Sequence, residues 1–278
     1  MAMDTLLLPF QFGFMQKAFL MGLIIAVPAA LLSCFLVVKG WALMGDAVSH
    51  AILPGVVLAY VLGAPLIIGA FVAGMVCALA TGYLTQNSRI KPDTVMGVVF
   101  SGMFGIGIVI YIAIDSALHL DHILFGNILG VGQGDMIMAL GISAVVSLGL
   151  MIKSKDLLLY SFDAIQARTA GLSVGLLHYG LLAAMTLTVM ATLSATGLIL
   201  AIGLMIAPGA IAFLLVRRFS VMMLVAVTVA VSSMGLGIYS SFFFDSAPAP
   251  TIVLVFSLMF VAAFTAKVFR QNRAETAS

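Results

Sequence analysis

The chain has 278 residues, of which 63% are hydrophobic and only 8% charged, with a formal net charge of +2. A soluble globular domain carries roughly 25% charged residues, so this chain cannot cover itself with a watery surface, and the alternative solvent is lipid. At about 20 apolar residues per crossing, the length accommodates eight to ten spanning helices with short connections, while the near-neutral charge gives no argument for nucleic acid.

Met1 to Gln16 lack the basic-then-apolar pattern of a cleaved signal peptide, so the first span is expected to act as its own insertion signal. Nine spans follow in order: Lys17–Val38, Leu43–Leu62, Pro65–Leu84, Thr94–Ala113, Asp135–Ile152, Gly175–Ala195, Thr196–Val216, Val221–Ser241 and Thr251–Phe269. Each is apolar around its whole circumference, as a lipid-embedded or bundle-core helix must be. Spans six and seven meet around Ser194 to Gly197 with almost no loop. An eight-span chain with one re-entrant segment stays open. Cys34 and Cys77 lie inside apolar runs, which argues against a disulfide or a thiolate metal site.

The basic residues test this scheme. Lys39, Arg89, Lys91, Lys153, Lys155, Arg168, Arg217, Arg218, Lys267, Arg270 and Arg273 are 11 of the 12 Lys and Arg, and nine spans put all of them on one side. The positive-inside rule makes that side cytoplasmic. The C-terminus, with its tail 270–278, is then inside and the N-terminus outside; Lys17 is the exception. The outer connection Ile114–Gly134 is acidic and His-bearing. The inner connection 153–174 contains a short polar helix, Ser161 to Ala170, with Ser161 as N-cap, Asp163 in the first turn and Gly171 at the stop.

Two Pro-Gly interruptions echo each other, Ile52-Leu53-Pro54-Gly55 in span two and Ile206-Ala207-Pro208-Gly209 in span seven. Spans five apart run in opposite directions, so the echo marks either an inverted repeat or chance, since Pro-Gly pairs are not rare in membrane helices.

Asp46 and His50 are the ionisable pair inside a span. Their i, i+4 spacing puts both on one helical face, and a rise of ~1.5 Å per residue from Trp41 sets His50 about 13 Å deep. An ionised Asp there costs about 2.5–3.5 kcal/mol and needs a polar cavity and a partner. Carboxylate oxygen with imidazole nitrogen suits Mn, Fe(II) or Zn and lacks the soft sulfur Cu(I) prefers. A proton relay, or an Asp–His bond tying two helices, fits the same pair. Pro54 opposes the carbonyl of His50 and loosens the helix beside it.

Asp115, His119, Asp121 and His122 sit in the outer connection, where such residues are solvated without cost; they could attract cations or contact an external partner by charge. His178 stands alone near a span end and reads as interfacial. Asp245 lies at an outer mouth behind Phe242, Phe243 and Phe244, as a loop acid or a gate residue. The chain has no P-loop, no His-Glu-x-x-His, no Gly-x-Ser-x-Gly and no Cys-x-x-Cys motif, so it is not expected to bind ATP in the P-loop manner or to act as an intramembrane hydrolase, and it is not read as an enzyme.

Five stretches together resemble the permeases of the manganese/zinc/iron-chelate ABC importer family (the ABC-3 membrane components): GDAVSHAILPGVVLAYVLG (Gly45–Gly63), KPDTVMGVVFSGMFGIG (Lys91–Gly107), LDHILFGNILGV (Leu120–Val131), SFDAIQARTAGL (Ser161–Leu172) and GLMIAPGAIAFLL (Gly203–Leu215). The third is most similar to the manganese/iron branch. The resemblance implies an all-α single permease domain, 1–278, of the large (type II) importer fold in the bacterial inner membrane. It implies two permease copies, cytoplasmic ATPase subunits that hold the ATP, and an external metal-binding protein. The cargo would be Mn(II) or Fe(II), with Zn(II) next, and no permanent cofactor. It makes Asp46 and His50 ligands in the path, and makes Ser161, Phe162, Asp163, Ala167, Arg168 and Gly171 part of the helix that couples to the ATPase. The chain departs from the family at Ala164, where Pro is frequent, and at Asp245–Pro250, which replaces an Asp-x-Pro-Ser-Gly-like turn. The rival reading is a proton-coupled secondary transporter, which would need no docking helix at Ser161–Leu172.

Overall fold

The computed structural model describes residues 8–41, 43–114 and 128–275. Among these, nine helical stretches are long and apolar enough to cross a membrane. They match the nine spans expected from hydropathy to within a few residues at either end. The outer cluster Asp115, His119, Asp121 and His122 lies outside the described residues.

The helices are α1 (Gly13–Lys39), α2 (Met44–Ala51), α3 (Leu53–Val61), α4 (Leu66–Asn87), α5 (Pro92–Ala113), α6 (Gln133–Ile152), α7 (Ser154–Phe162), α8 (Ala164–Thr169), α9 (Val174–Leu215), α10 (Phe219–Phe244) and α11 (Pro248–Glu275). Helix α1 is central and packs on α6, α9 and α10, with 78% of its apolar stretch buried against 17% in α5 and α11. Two apolar clusters flank it. One joins α1 to the second half of α9, α10 and α11; the other gathers α2, α4, α7 and the first half of α9.

Helix α9 is two spans, Val174–Leu193 and Ala195–Leu215, broken at Gly197, whose φ of 76° and ψ of 178° suit glycine. A Cβ on Gly74 would touch both Thr186 and Val48, while one on Gly45, less than a turn from Val48, would touch Met205. Thr186 and Met205 would stand about 28 Å apart on a straight helix, so the chain doubles back at Gly197.

The ends of the bundle follow. At one end Lys39 meets Tyr160, Tyr160 meets His178, His178 meets Gly82, and Phe35 packs on Phe219 with ring centroids 5.0 Å apart. At the other, Phe10 and Phe12 approach Tyr239 and Phe242 at 6.2 and 5.8 Å. The basic connections after α1, α4, α6 and α9 therefore share the first end, as the charge pattern requires.

The two Pro-Gly pairs behave differently. Pro54 stands at the start of α3, where a helix needs no donor, and divides span two at Ile52. Pro208 lies inside α9. Gly55 meets Gly69 of α4, whereas Gly209 meets Ser33 of α1.

Candidate metal pathway and coupling segment

Asp46 and His50 lie on α2 with His50 Nε2 3.3 Å from Asp46 Oδ1, and their side chains are 32% and 29% exposed. The i, i+4 spacing foreseen from sequence is thus realised as a contact. The pair is neither sealed in the core nor free in solvent. Phe100 and Phe104 of α5, one turn apart, bring their rings to 5.9 and 5.4 Å from the imidazole. One turn further along the same face, Gly107 clears the ring of Pro54, whose Cδ would stand 2.9 Å from a Cβ there.

This local architecture has a covalent cause. Pro54 cannot donate to the carbonyl of His50, and its ring crowds it, so α2 ends at Ala51 and α3 begins at Leu53. The His50 carbonyl, deprived of a donor at residue 54, accepts instead from the N–H of Ile52. A carboxylate and an imidazole on one partly open face make an oxygen-and-nitrogen surface suited to a borderline divalent cation. No group of three or more His, Cys, Asp or Glu forms among the described residues, so the pair needs ligands from elsewhere to complete a shell.

Asp245 does not join them. It is exposed at the other end of the bundle and terminates α10 in the left-handed region, φ 49° and ψ 43°, with its N–H donating to the Ser241 carbonyl.

The inner connection holds two helices rather than one. Ser161 is not an N-cap: it lies in the last turn of α7, only 6% exposed, with its hydroxyl donating to the Leu157 carbonyl at 2.7 Å. Asp163 takes the capping role, its Oδ1 accepting from the N–H of Ile165 at 2.8 Å and of Gln166 at 3.1 Å. The apolar run from Leu157 to Tyr160 prolongs α7 past the expected start, and a carboxylate in extended backbone caps the next helix. The stop is as foreseen. Gly171 has φ 79°, and the N–H groups of Gly171 and Leu172 donate to the carbonyls of Arg168 and Ala167 at 3.1 and 3.0 Å, closing a Schellman motif. Ala167 is buried beneath it, while Phe162 and Ile165 are 71% and 78% exposed. The sequence reading did not single out Ile165, the second large apolar side chain on this polar segment.

His178, read as solitary, is not alone. Its Nδ1 is 2.7 Å from the hydroxyl of Tyr160, and its ring meets Trp41 edge-on at 5.4 Å. Burial pushes the Tyr160 phenol up to about 12, so this hydroxyl keeps its proton at physiological pH.

Comparison with known proteins places these features in company. The pattern of the ABC 3 transport family matches residues 11–267. The chain is 52% identical over 255 residues to the chelated iron transport system membrane protein YfeD of Yersinia pestis, covering 92% of this chain and 86% of that one. It is 41% identical to the manganese transport system membrane protein MntB of Synechocystis, covering 92% and 83%. The solved structure of PsaBC from Streptococcus pneumoniae in complex with Fab superposes with a TM-score of 0.85 at 35% identity, over 94% of this chain and 95% of that chain.

Proposed function

From membership of the ABC 3 transport family, to which this chain belongs, we propose that it is the transmembrane permease subunit of an ATP-driven importer of divalent metal ions, Mn(II) or Fe(II) before Zn(II). The printed functions of its relatives, chelated iron and manganese transport, support the cargo class. Hydrolysis of ATP belongs to a separate cytoplasmic subunit, and an external binding protein delivers the ion. The end bearing the basic connections is cytoplasmic, which puts the C-terminus inside and the N-terminus outside.

The observation that carries the reading is the Asp46–His50 contact at 3.3 Å on a Pro-broken membrane helix. Two ligands on one open face can replace part of a hydration shell yet release the ion inward, as a pathway demands. A second permease copy and water supply the rest. At the cytoplasmic end, the Asp163-capped α8 with exposed Phe162, Ile165 and Arg168 is the surface that the ATPase grips; Ser161 and Ala167 hold it from beneath, and Gly171 ends it. Asp245 and the outer Asp121 and His122 remain candidates for contact with the incoming ion or its carrier.

Uptake of radiolabelled Mn(II) in cells carrying Asp46→Ala or His50→Ala, with membrane insertion verified, tests the ligand assignment. Each should fall by at least about tenfold. Wild-type uptake by both variants would sink it.

A further inference from the structure

A group of polar side chains that the pathway does not use gathers around one residue. Lys39 Nζ donates to the backbone carbonyl of Tyr160 at 3.1 Å and sits 3.8 Å from the centroid of its ring. The hydroxyl of the same Tyr160 is 2.7 Å from His178 Nδ1, and the other ring nitrogen of His178 faces Gly82, at 3.3 Å from where a Cβ would stand. Tyr160, 3% exposed, thus touches the last residue of α1 and the first turns of α9, and through His178 it bears on α4. It stands two residues before the exposed Phe162.

The chemistry is not that of idle packing. Tyr160 lies in the last turn of α7, where carbonyls lack intrahelical donors and the helix end is negative. The Lys39 ammonium answers both needs and adds a cation–π contact. From Lys39 the chain runs through Gly40 to Trp41, whose N–H donates to the Leu36 carbonyl at 2.8 Å and whose carbonyl accepts from Met44 at 3.0 Å. Trp41 is therefore bonded both to the end of α1 and to the first residue of α2. Asp46 is two residues further on. A displacement of α7 has a short, hydrogen-bonded route to the metal pair.

We infer that Tyr160 is the positioning residue that carries movement of the α7–α8 segment to Trp41 by two arms, its carbonyl and ring through Lys39 and its hydroxyl through His178, whose ring meets Trp41 at 5.4 Å, and so into the helix bearing Asp46 and His50. This rests on the permease reading above. Loss of the contact should uncouple hydrolysis from transport rather than abolish either protein.

The test uses the complete complex of permease and ATPase reconstituted in lipid vesicles, with ATP hydrolysis and Mn(II) uptake measured together. For Tyr160→Phe and Lys39→Met, the number of ions moved per ATP should fall at least about fivefold. Lys39→Arg and His178→Gln, which keep a donor or a partner, should restore it. A ratio equal to wild type in Tyr160→Phe and Lys39→Met, whether both rates fall together or neither changes, overturns the proposal. If Tyr160→Phe does not accumulate, the contrast between His178→Ala and His178→Gln decides by the same ratio. Asp46→Ala in the same vesicles separates the two readings: normal uptake there with an uncoupled Tyr160→Phe removes the ligand assignment and leaves the coupling role standing.

Discussion

Asp163 and Ala164 show how much of the proposed docking surface depends on two adjacent backbone positions. Asp163 is extended, φ −149° and ψ 104°, and its carboxylate takes two N–H groups of α8. An Asp-to-Ala change at an N-cap costs about 1 kcal/mol, a large share of what holds a six-residue helix. Asp163→Ala should therefore weaken co-purification of the ATPase while Asp163→Asn keeps it. Ala164 occupies the first helical position, where proline costs no hydrogen bond and its φ is already suited. The extended backbone of Asp163 is the geometry a following proline demands. Ala164→Pro should raise the thermal stability of the purified protein by about 0.4–1 kcal/mol; a loss of stability would show that the first turn of α8 is not what these bonds indicate.

At the scale of elements, the contact between α3 and α4 is set by what is missing. A Cβ on Gly55 would lie 2.0 Å from the Gly69 carbonyl oxygen, and one on Gly69 would lie 2.1 Å from that of Gly55; Ala73 and Ala59 complete the reciprocal pattern. Small residues four apart let two membrane helices touch backbone to backbone. Gly55→Ala and Gly69→Ala should each cost more than about 2 kcal/mol, read as lost accumulation or a lowered melting temperature. Gly97→Ala and Gly102→Ala, where a Cβ meets nothing within 4 Å, should be tolerated. This pairing was not legible in the sequence, and the reason is general. The spans could be found because lipid demands apolar helices, but lipid-facing and core-facing positions are then alike: Val95 is 5% exposed and Val98 69%. Asp46 and His50 were legible because charge inside an apolar run is itself a signal. The Tyr160 contacts were not, since Lys39 lies 121 residues away in the chain and their meeting depends on α7, a helix that the sequence reading merged into a connection.

For the molecule as a whole, the alternation of spans and the gathering of basic connections at one end are consequences of a single bookkeeping of crossings, and the bundle agrees with it. The reversal at Gly197 adds something to that count. With one residue between spans six and seven, these two helices have no loop between them, and they should enter the membrane together as a hairpin rather than one after the other. Epitope insertion or protease accessibility applied from outside should find no reachable segment near residue 197. A map built from such probes would report seven crossings instead of nine, with both termini still correctly assigned because crossings are lost in pairs. A reactive tag at that position labelled from outside the cell would show instead that the chain emerges there. The seam is thus invisible to the methods usually trusted to find seams.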